Sequence, residues 1–367
     1  MSIKRLSGLY SRLLIAGVAL VMFGCVSVLS ASAMYAISRG SPAYYFVRHL
    51  CWMLLGVACI WGMSRTGFLR RLPFLSPFLL LGSIALLAVA WDSRWIRCAG
   101  LSLQPAEFVK IAMVCYLADY LARRRSDLSS WKTVVKPVAF LLVIMGLLQV
   151  QKDLGTFVII CGAFGLMLFV AGLPVRFMAV MAAVFVGMLV GLVLLFPYRM
   201  ERITIYLNPS ADANGKAYQS NESLKALGSG GLLGAGIGQS AQKLRFLPEA
   251  HKDYVYAVIG EEMGLVGTGT ILFLFAVIVF TGFEIATLAE DQFRRYLAVG
   301  LSGMLGIQFL LHASVVLRLV PPKGTTLPFC SVGGSSLLAS MLALGLLLEV
   351  ARAVCATSPL EMEDVPA

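Results

Sequence analysis

Charged residues are scarce in this chain. Of 367 residues, 13% are Asp, Glu, Lys or Arg, whereas 59% are hydrophobic. A soluble domain cannot hide that much apolar surface, so the composition excludes an ordinary soluble enzyme and points to a polytopic membrane protein. The apolar runs are too continuous for a transmembrane barrel, whose strands alternate polar and apolar residues, which leaves an all-α bundle. No C-x-x-C pair occurs among the eight cysteines, and most of them lie inside apolar runs, where they read as small packing residues rather than metal ligands. Cys98 and Cys330 fall in loops on one side, so a disulfide between them stays open. The phosphate-loop, dinucleotide and G-x-S-x-G patterns are absent, which removes the sequence signals for nucleotide binding and for a serine hydrolase. The net charge of +11 would suggest nucleic acid in a soluble protein, but here the basic residues flank apolar runs and no nucleic-acid partner is implied.

What is present is a series of apolar runs of spanning length. Ten candidate spans cover 12–34, 46–63, 72–91, 105–122, 134–151, 154–171, 176–196, 257–283, 296–317 and 332–352. Basic residues such as Arg70, Arg71, Arg123, Arg124, Arg125, Lys132 and Lys136 concentrate on one side of this series, so the positive-inside rule puts both termini in the cytoplasm. Residues 1–356 form a single transmembrane domain with a large extracytoplasmic loop, 197–256. Residues 357–367 form a short acidic cytoplasmic tail. This topology gathers the unusual chemistry at the outer face, where ATP is not available.

Four segments carry that chemistry. The first, Arg94 to Lys110, holds Glu107 and Lys110 three residues apart, hence on one helix face inside a span; charges there default to a functional reading, with an intrahelical ion pair as the bland one. The second, QKDLGT, holds Asp153 at the start of a span, placed to cap its free backbone donors. The third, Leu247 to Gly264, packs Glu249, His251, Lys252, Asp253, Glu261 and Glu262 at a membrane edge, where an acid can be tuned to act as a base. A metal site from His251, Asp253 and Glu249 lacks ligand spacing. The fourth, Val320 to Leu338, is a proline-shaped loop in which Lys323 offers a point charge suited to phosphate; after it, Gly333 to Ser336, including Ser335, open the last span with backbone donors fit for an anion. The glycine-rich stretch 228–238 reads as backbone lying close to other helices, and Asp119 as a structural partner of Arg123.

Taken in order, RWI…QPAEFVK, QKDLGT, LPEAHKDYVYAVIGEE and PPKGTTLPF-SVGGSSLL resemble the SEDS family (shape, elongation, division and sporulation) over nearly the whole chain, with LPEAH and PPKG closer to its division-type branch than to its elongation-type branch. The chain departs from the family pattern at Ser102, Lys152, Lys252, Tyr254 to Tyr256 and Val332. The resemblance implies a peptidoglycan glycosyltransferase that polymerises lipid II at the outer face of the bacterial cytoplasmic membrane. It implies a class B penicillin-binding protein as crosslinking partner, with other division proteins and membrane lipids around it. It maps the essential loop aspartate onto Asp253 and the helix pair onto Glu107 and Lys110. In the resulting mechanism Asp253 takes the acceptor hydroxyl proton, and Lys110, Arg94 and Lys323 offset the leaving diphosphate, with a divalent cation (Mg or Mn) as a further candidate. A lipid II flippase and a non-catalytic scaffold are the competing readings.

Overall fold

The computed structural model describes residues 3–37, 40–91, 93–98, 101–125, 131–208, 216–242 and 250–356. Its long helices are α1 (Ile3–Ile37), α2 (Tyr44–Thr66), α3 (Phe68–Val89), α4 (Pro105–Arg123), α5 (Lys132–Val150), α6 (Leu154–Val170) and α7 (Val175–Leu195). Two shorter helices follow, α8 (Pro197–Leu207) and α9 (Lys216–Ser229), and then α10 (Val255–Leu288), α11 (Gln292–Val316) and α12 (Gly334–Ala356). Each expected span falls on one helix, with ends that agree within a few residues except at α1, which begins well before residue 12. Eight of these helices are long and apolar enough to cross a membrane, and α6 is a shorter apolar helix. Apolarity alone therefore does not reach a count of ten: α6 is too short and α4 carries internal charge. The chain is an all-α, multi-pass membrane protein.

The helix boundaries follow from local chemistry. Asp153 caps α6 by accepting from the Thr156 amide at 3.1 Å, and Asp291 caps α11 by accepting from the Phe293 amide at 3.1 Å. Pro105 and Pro197 open α4 and α8 at positions where a missing N–H costs nothing. The centre of the bundle is α4 together with α11 and α12; these bury residues on most sides, whereas α7 buries none. The described part of the 197–256 loop is largely helical and not extended chain. Its α8 and α9 are tied to the end of α11, where Arg318 donates to the Asn221 side chain at 3.1 Å and to the Tyr206 carbonyl at 3.2 Å, and Ser223 donates to the Val316 carbonyl at 3.0 Å.

One span is broken. Gly264 has φ 63° and ψ −157° inside α10, a conformation that only glycine adopts without strain. The break exposes the Glu261 and Glu262 carbonyls and the Leu265 and Val266 amides, and the glycine-rich hairpin that follows α9 takes up all four. Ala235 and Gly236 donate to the two carbonyls at 2.9 and 3.0 Å, and the two amides donate to Gly231 and Leu232 at 3.0 and 3.2 Å. The expected close packing of the glycine-rich stretch is thus a hairpin docked on a kink.

Cys330 is a free, buried thiol pointing at the Leu20 carbonyl of α1 (3.6 Å), so the disulfide left open with Cys98 is not formed: the loop that carries Cys330 turns into the core.

Candidate active site

The polar end of the bundle is assembled by hydrogen bonds between segments far apart in sequence. A short helical turn, Ala250–Asp253, is docked on the loop that leads into α12. The Val332 amide donates to the His251 carbonyl at 3.0 Å, and the Ser331 hydroxyl donates to the Lys252 carbonyl at 2.7 Å. Asp253 comes to lie against Gly324, where a Cβ would sit 2.9 Å from its Oδ2. His251 is buried 4.6 Å (ring centroids) from Tyr35 and 5.3 Å from Tyr45, so its ring packs rather than lining a cavity. Glu249 lies outside the described residues.

Three cavities meet at Gly324. The largest, about 630 Å³, is lined by Arg48, Arg94, Arg97, Lys252 and Asp253, with aromatic walls from Tyr45, Trp52 and Trp95. The second, about 180 Å³, is lined by Arg94, Lys152, Arg199, Arg202 and Lys323 around Asp153, and it opens onto Leu189 and Val193 of α7. The third, about 120 Å³, joins Asp253 to Arg202 and Lys323. Cations outnumber carboxylates in each of the three, which suits a multiply charged anion. Burial holds the Lys323 ammonium below the usual lysine range; Asp153 opposes the shift, and Arg202 and Arg199 add to it.

Arg94 fastens this face together: its Nε donates to the Gln151 carbonyl at 2.8 Å and a terminal nitrogen donates to the Lys152 carbonyl at 2.6 Å. Asp153 caps α6 and also accepts from the Gln104 amide nitrogen at 3.3 Å. The backbone N–H of Gln104 donates to Ser335 at 3.0 Å, which uses that hydroxyl at the start of α12.

Glu107 and Lys110 form the expected ion pair, 2.8 Å apart, but at 4% and 2% exposure they stand behind the cavities and line none of the three. Lys110 also donates to the Gln308 side chain at 2.6 Å. Gln308 in turn donates to the Thr326 carbonyl at 3.2 Å, and Thr326 shares a 2.7 Å bond with Ser336. His312 adds a 2.7 Å bond to the Thr325 carbonyl. The pair is thus the root of a buried polar network that holds residues 324–326, the strand of chain against which Asp253 lies. Asp119 pairs with Arg123 at 2.8 Å at the opposite end of the bundle.

Sequence reasoning missed Gln308, although a lone amide inside an apolar span is itself a signal. It assigned no site role to Arg48, Arg97, Arg199 or Arg202. Glu261 and Glu262 lie outside the cavities. Glu261 accepts from the Ser240 hydroxyl and from the Ala241 amide (2.9 Å), and Glu262 accepts from Ser30 of α1 at 2.7 Å. Among the described residues no group of three His, Cys, Asp or Glu is placed to hold a metal ion.

Comparison with known proteins fits this architecture. The family model described as cell cycle protein, FtsW/RodA/SpoVE, matches residues 11–355. This chain belongs to that family. It is 38% identical over 350 residues to the probable peptidoglycan glycosyltransferase FtsW of Geobacter metallireducens, covering 92% of this chain and 93% of that one. It is 36% identical over 349 residues to stage V sporulation protein E of Bacillus subtilis, covering 91% and 94%. Among solved structures, one concerned with coordination of polymerization and crosslinking by a peptidoglycan synthase complex matches at TM-score 0.76 with 28% identity, covering 93% of this chain and 96% of that one. The rod shape determining protein RodA of Thermus thermophilus matches at TM-score 0.66 with 28% identity, covering 93% and 95%.

Proposed function

We propose that this protein is a peptidoglycan glycosyltransferase that polymerises lipid II for division-type cell-wall synthesis, with Asp253 as its base. The observation that carries the reading is the position of Asp253: among the described residues it is the one carboxylate lining a cavity whose other charged walls are Arg48, Arg94, Arg97 and Lys252. The names of its FtsW relatives support the same activity.

In this mechanism an acceptor sugar hydroxyl attacks the anomeric carbon of a second, diphosphate-linked sugar. The new C–O bond forms as the bond to the diphosphate breaks. Asp253 takes the hydroxyl proton, and the electron pair leaves on the diphosphate, which the arginines and Lys252 stabilise. Trp52, Trp95 and Tyr45 give the sugar rings apolar faces to lie against. Arg48 reaches to within 3.5 Å of Ser102, one of the positions at which the chain departs from the family pattern, and so brings a guanidinium there. Glu107 and Lys110 act as positioning residues, through Gln308 and Thr326, on the chain beside Asp253. A hard divalent cation needs several oxygen ligands, and one carboxylate among four cations does not make such a cage from the described residues.

The reading places the three cavities at the outer face of the cytoplasmic membrane of a bacterium, with both termini inside. It gives the protein a class B penicillin-binding protein as crosslinking partner within the division machinery, in keeping with the synthase complex it resembles. The test is polymer formation from purified lipid II by the protein with its cognate partner. Wild type yields glycan strands and a folded Asp253→Asn yields none. Equal polymer from both would remove Asp253 as the base. Polymer from neither, with transport of lipid II across vesicles intact, would move the assignment to a flippase.

A further inference from the structure

The hairpin docked on the kink of α10 is built unlike a solvated loop. From Ala226 to Gln242 the chain has no charged residue, and the run is bracketed by Lys225 and Lys243. Its large side chains point away from the protein: Leu232, Leu233 and Ile237 are 70%, 81% and 59% exposed. Next to them, on α10 itself, Leu265 and Val266 are also exposed, and the same helix continues with exposed Leu272, Phe273 and Phe280. The hairpin tip therefore extends the outward-facing apolar stripe of a membrane span.

Depth can be counted along α10. Glu284 pairs with Arg12 of α1 at 3.3 Å and marks one boundary of the apolar stretch. A hydrocarbon core of about 30 Å corresponds to about 20 residues of helix at 1.5 Å each. Counting back from Glu284 reaches Gly264 and Leu265, so the kink and the hairpin bound to it lie where the hydrocarbon ends on the Asp253 side. The hydrogen bonding fits that depth. The break parts the Glu261 and Glu262 carbonyls from the Leu265 and Val266 amides; unpaired backbone groups in lipid cost several kcal/mol each, and here the hairpin pairs these four. Solvent would have satisfied the same groups without it. Gly234 and Gly264 permit the contact, because a Cβ on either would collide with the other strand's backbone.

We propose that the Gly230–Gln242 hairpin is seated in the membrane leaflet on the Asp253 side, with Leu232, Leu233 and Ile237 against acyl chains. The occupant of this surface is lipid rather than a protein partner, because the patch is continuous with the face of α10 that any bilayer must cover. Its consequence, which rests on the glycosyltransferase reading, is a fixed working height. Residues 255–263 of α10 rise from the kink to the Asp253 turn, so anchoring the kink fixes Asp253 relative to a substrate whose own lipid tail holds its sugars at a set distance above the bilayer.

The experiment places a diazirine-bearing amino acid at Leu233 of the full-length protein in phospholipid vesicles, with Leu272 as the reference lipid-facing position. After irradiation, phospholipid adducts at position 233 in a yield comparable to position 272 support the proposal. Water adducts at 233 alongside lipid adducts at 272 overturn it, and so do adducts to the class B partner when both proteins are reconstituted together. None of these outcomes depends on activity, so they stand apart from the Asp253→Asn result. For the consequence, Leu232→Ser/Leu233→Ser loses polymerisation in bilayers several-fold and keeps it in detergent micelles, whereas equal losses in both media would refute the height-setting role.

Discussion

Substituting Gly324 by alanine isolates the placement of Asp253 from its chemistry. Gly324 is not among the residues with positive φ, so alanine fits its backbone. The added methyl would stand 2.9 Å from Asp253 Oδ2 and 3.5 Å from its Cγ. Ordinary contact needs about 3.4 Å or more, so the carboxylate must retreat by about 0.5 Å. The atom displaced is the far end of a side chain and not backbone, so the stability change should stay within about 1 kcal/mol. Catalysis is less forgiving. A misplacement of about 1 Å costs about 10²-fold, so half of that costs about tenfold, or about 1.4 kcal/mol of barrier. Gly324→Ala should therefore lower kcat for lipid II polymerisation about tenfold with KM and Tm little changed. The assay is single-turnover polymerisation by the protein with its partner, beside thermal unfolding of the same preparations. An unchanged kcat in a variant of unchanged Tm would refute the reasoning, because the methyl would then sit against a carboxylate whose position does not matter.

Other outcomes follow from the same geometry. Asp253→Asn should lower kcat by about 10²–10⁴-fold, the usual contribution of a positioned base; a folded variant with wild-type turnover ends that role. Glu107→Ala leaves the Lys110 ammonium buried and should cost about 3–5 kcal/mol in thermal or denaturant unfolding, with Glu107→Ala/Lys110→Met recovering part of it. No recovery in the double variant would mean that the pair is not coupled. Lys323 is cationic only below a pKa held under the usual lysine range, so affinity for the anionic substrate should weaken as pH rises through that region. Lys323→Arg should remove this pH dependence, and an unchanged profile would take Lys323 out of the anion site. Gln308→Leu cuts the link between Lys110 and Thr326 and should reduce kcat more than it raises KM; a pure loss of folded protein with normal kcat would make Gln308 merely structural.

The helices were legible because continuous apolar length is a property of each segment alone, and so were the Asp153 cap and the Glu107–Lys110 pair, which depend on neighbours three residues apart. The site was legible as a set of segments but not as a surface. That Lys110 turns inward to Gln308 is decided by α11, nearly two hundred residues on, and His251 spends its ring on Tyr35 and Tyr45 of helices at the other end of the chain. The kink at Gly264 was hidden for the opposite reason: glycine in an apolar run signals nothing until a second strand arrives to use the broken backbone.

Helix α7 shows what remains of a sequence requirement when most packing is removed. None of its residues from Val175 to Leu195 is fully buried by the rest of the protein, and only one face is half-buried. Its solvent is the membrane, and a membrane selects on hydropathy rather than on shape. Apart from Leu189 and Val193, which wall the second cavity, and Phe177, Met178, Met181 and Phe185, which pack against the bundle, the order of its side chains should be nearly free to drift. Residues of α11 and α12, locked between neighbours, have no such freedom. Variation along this chain should therefore track contact with lipid more closely than distance from the active site, and α7 should be the span in which ancestry is hardest to read.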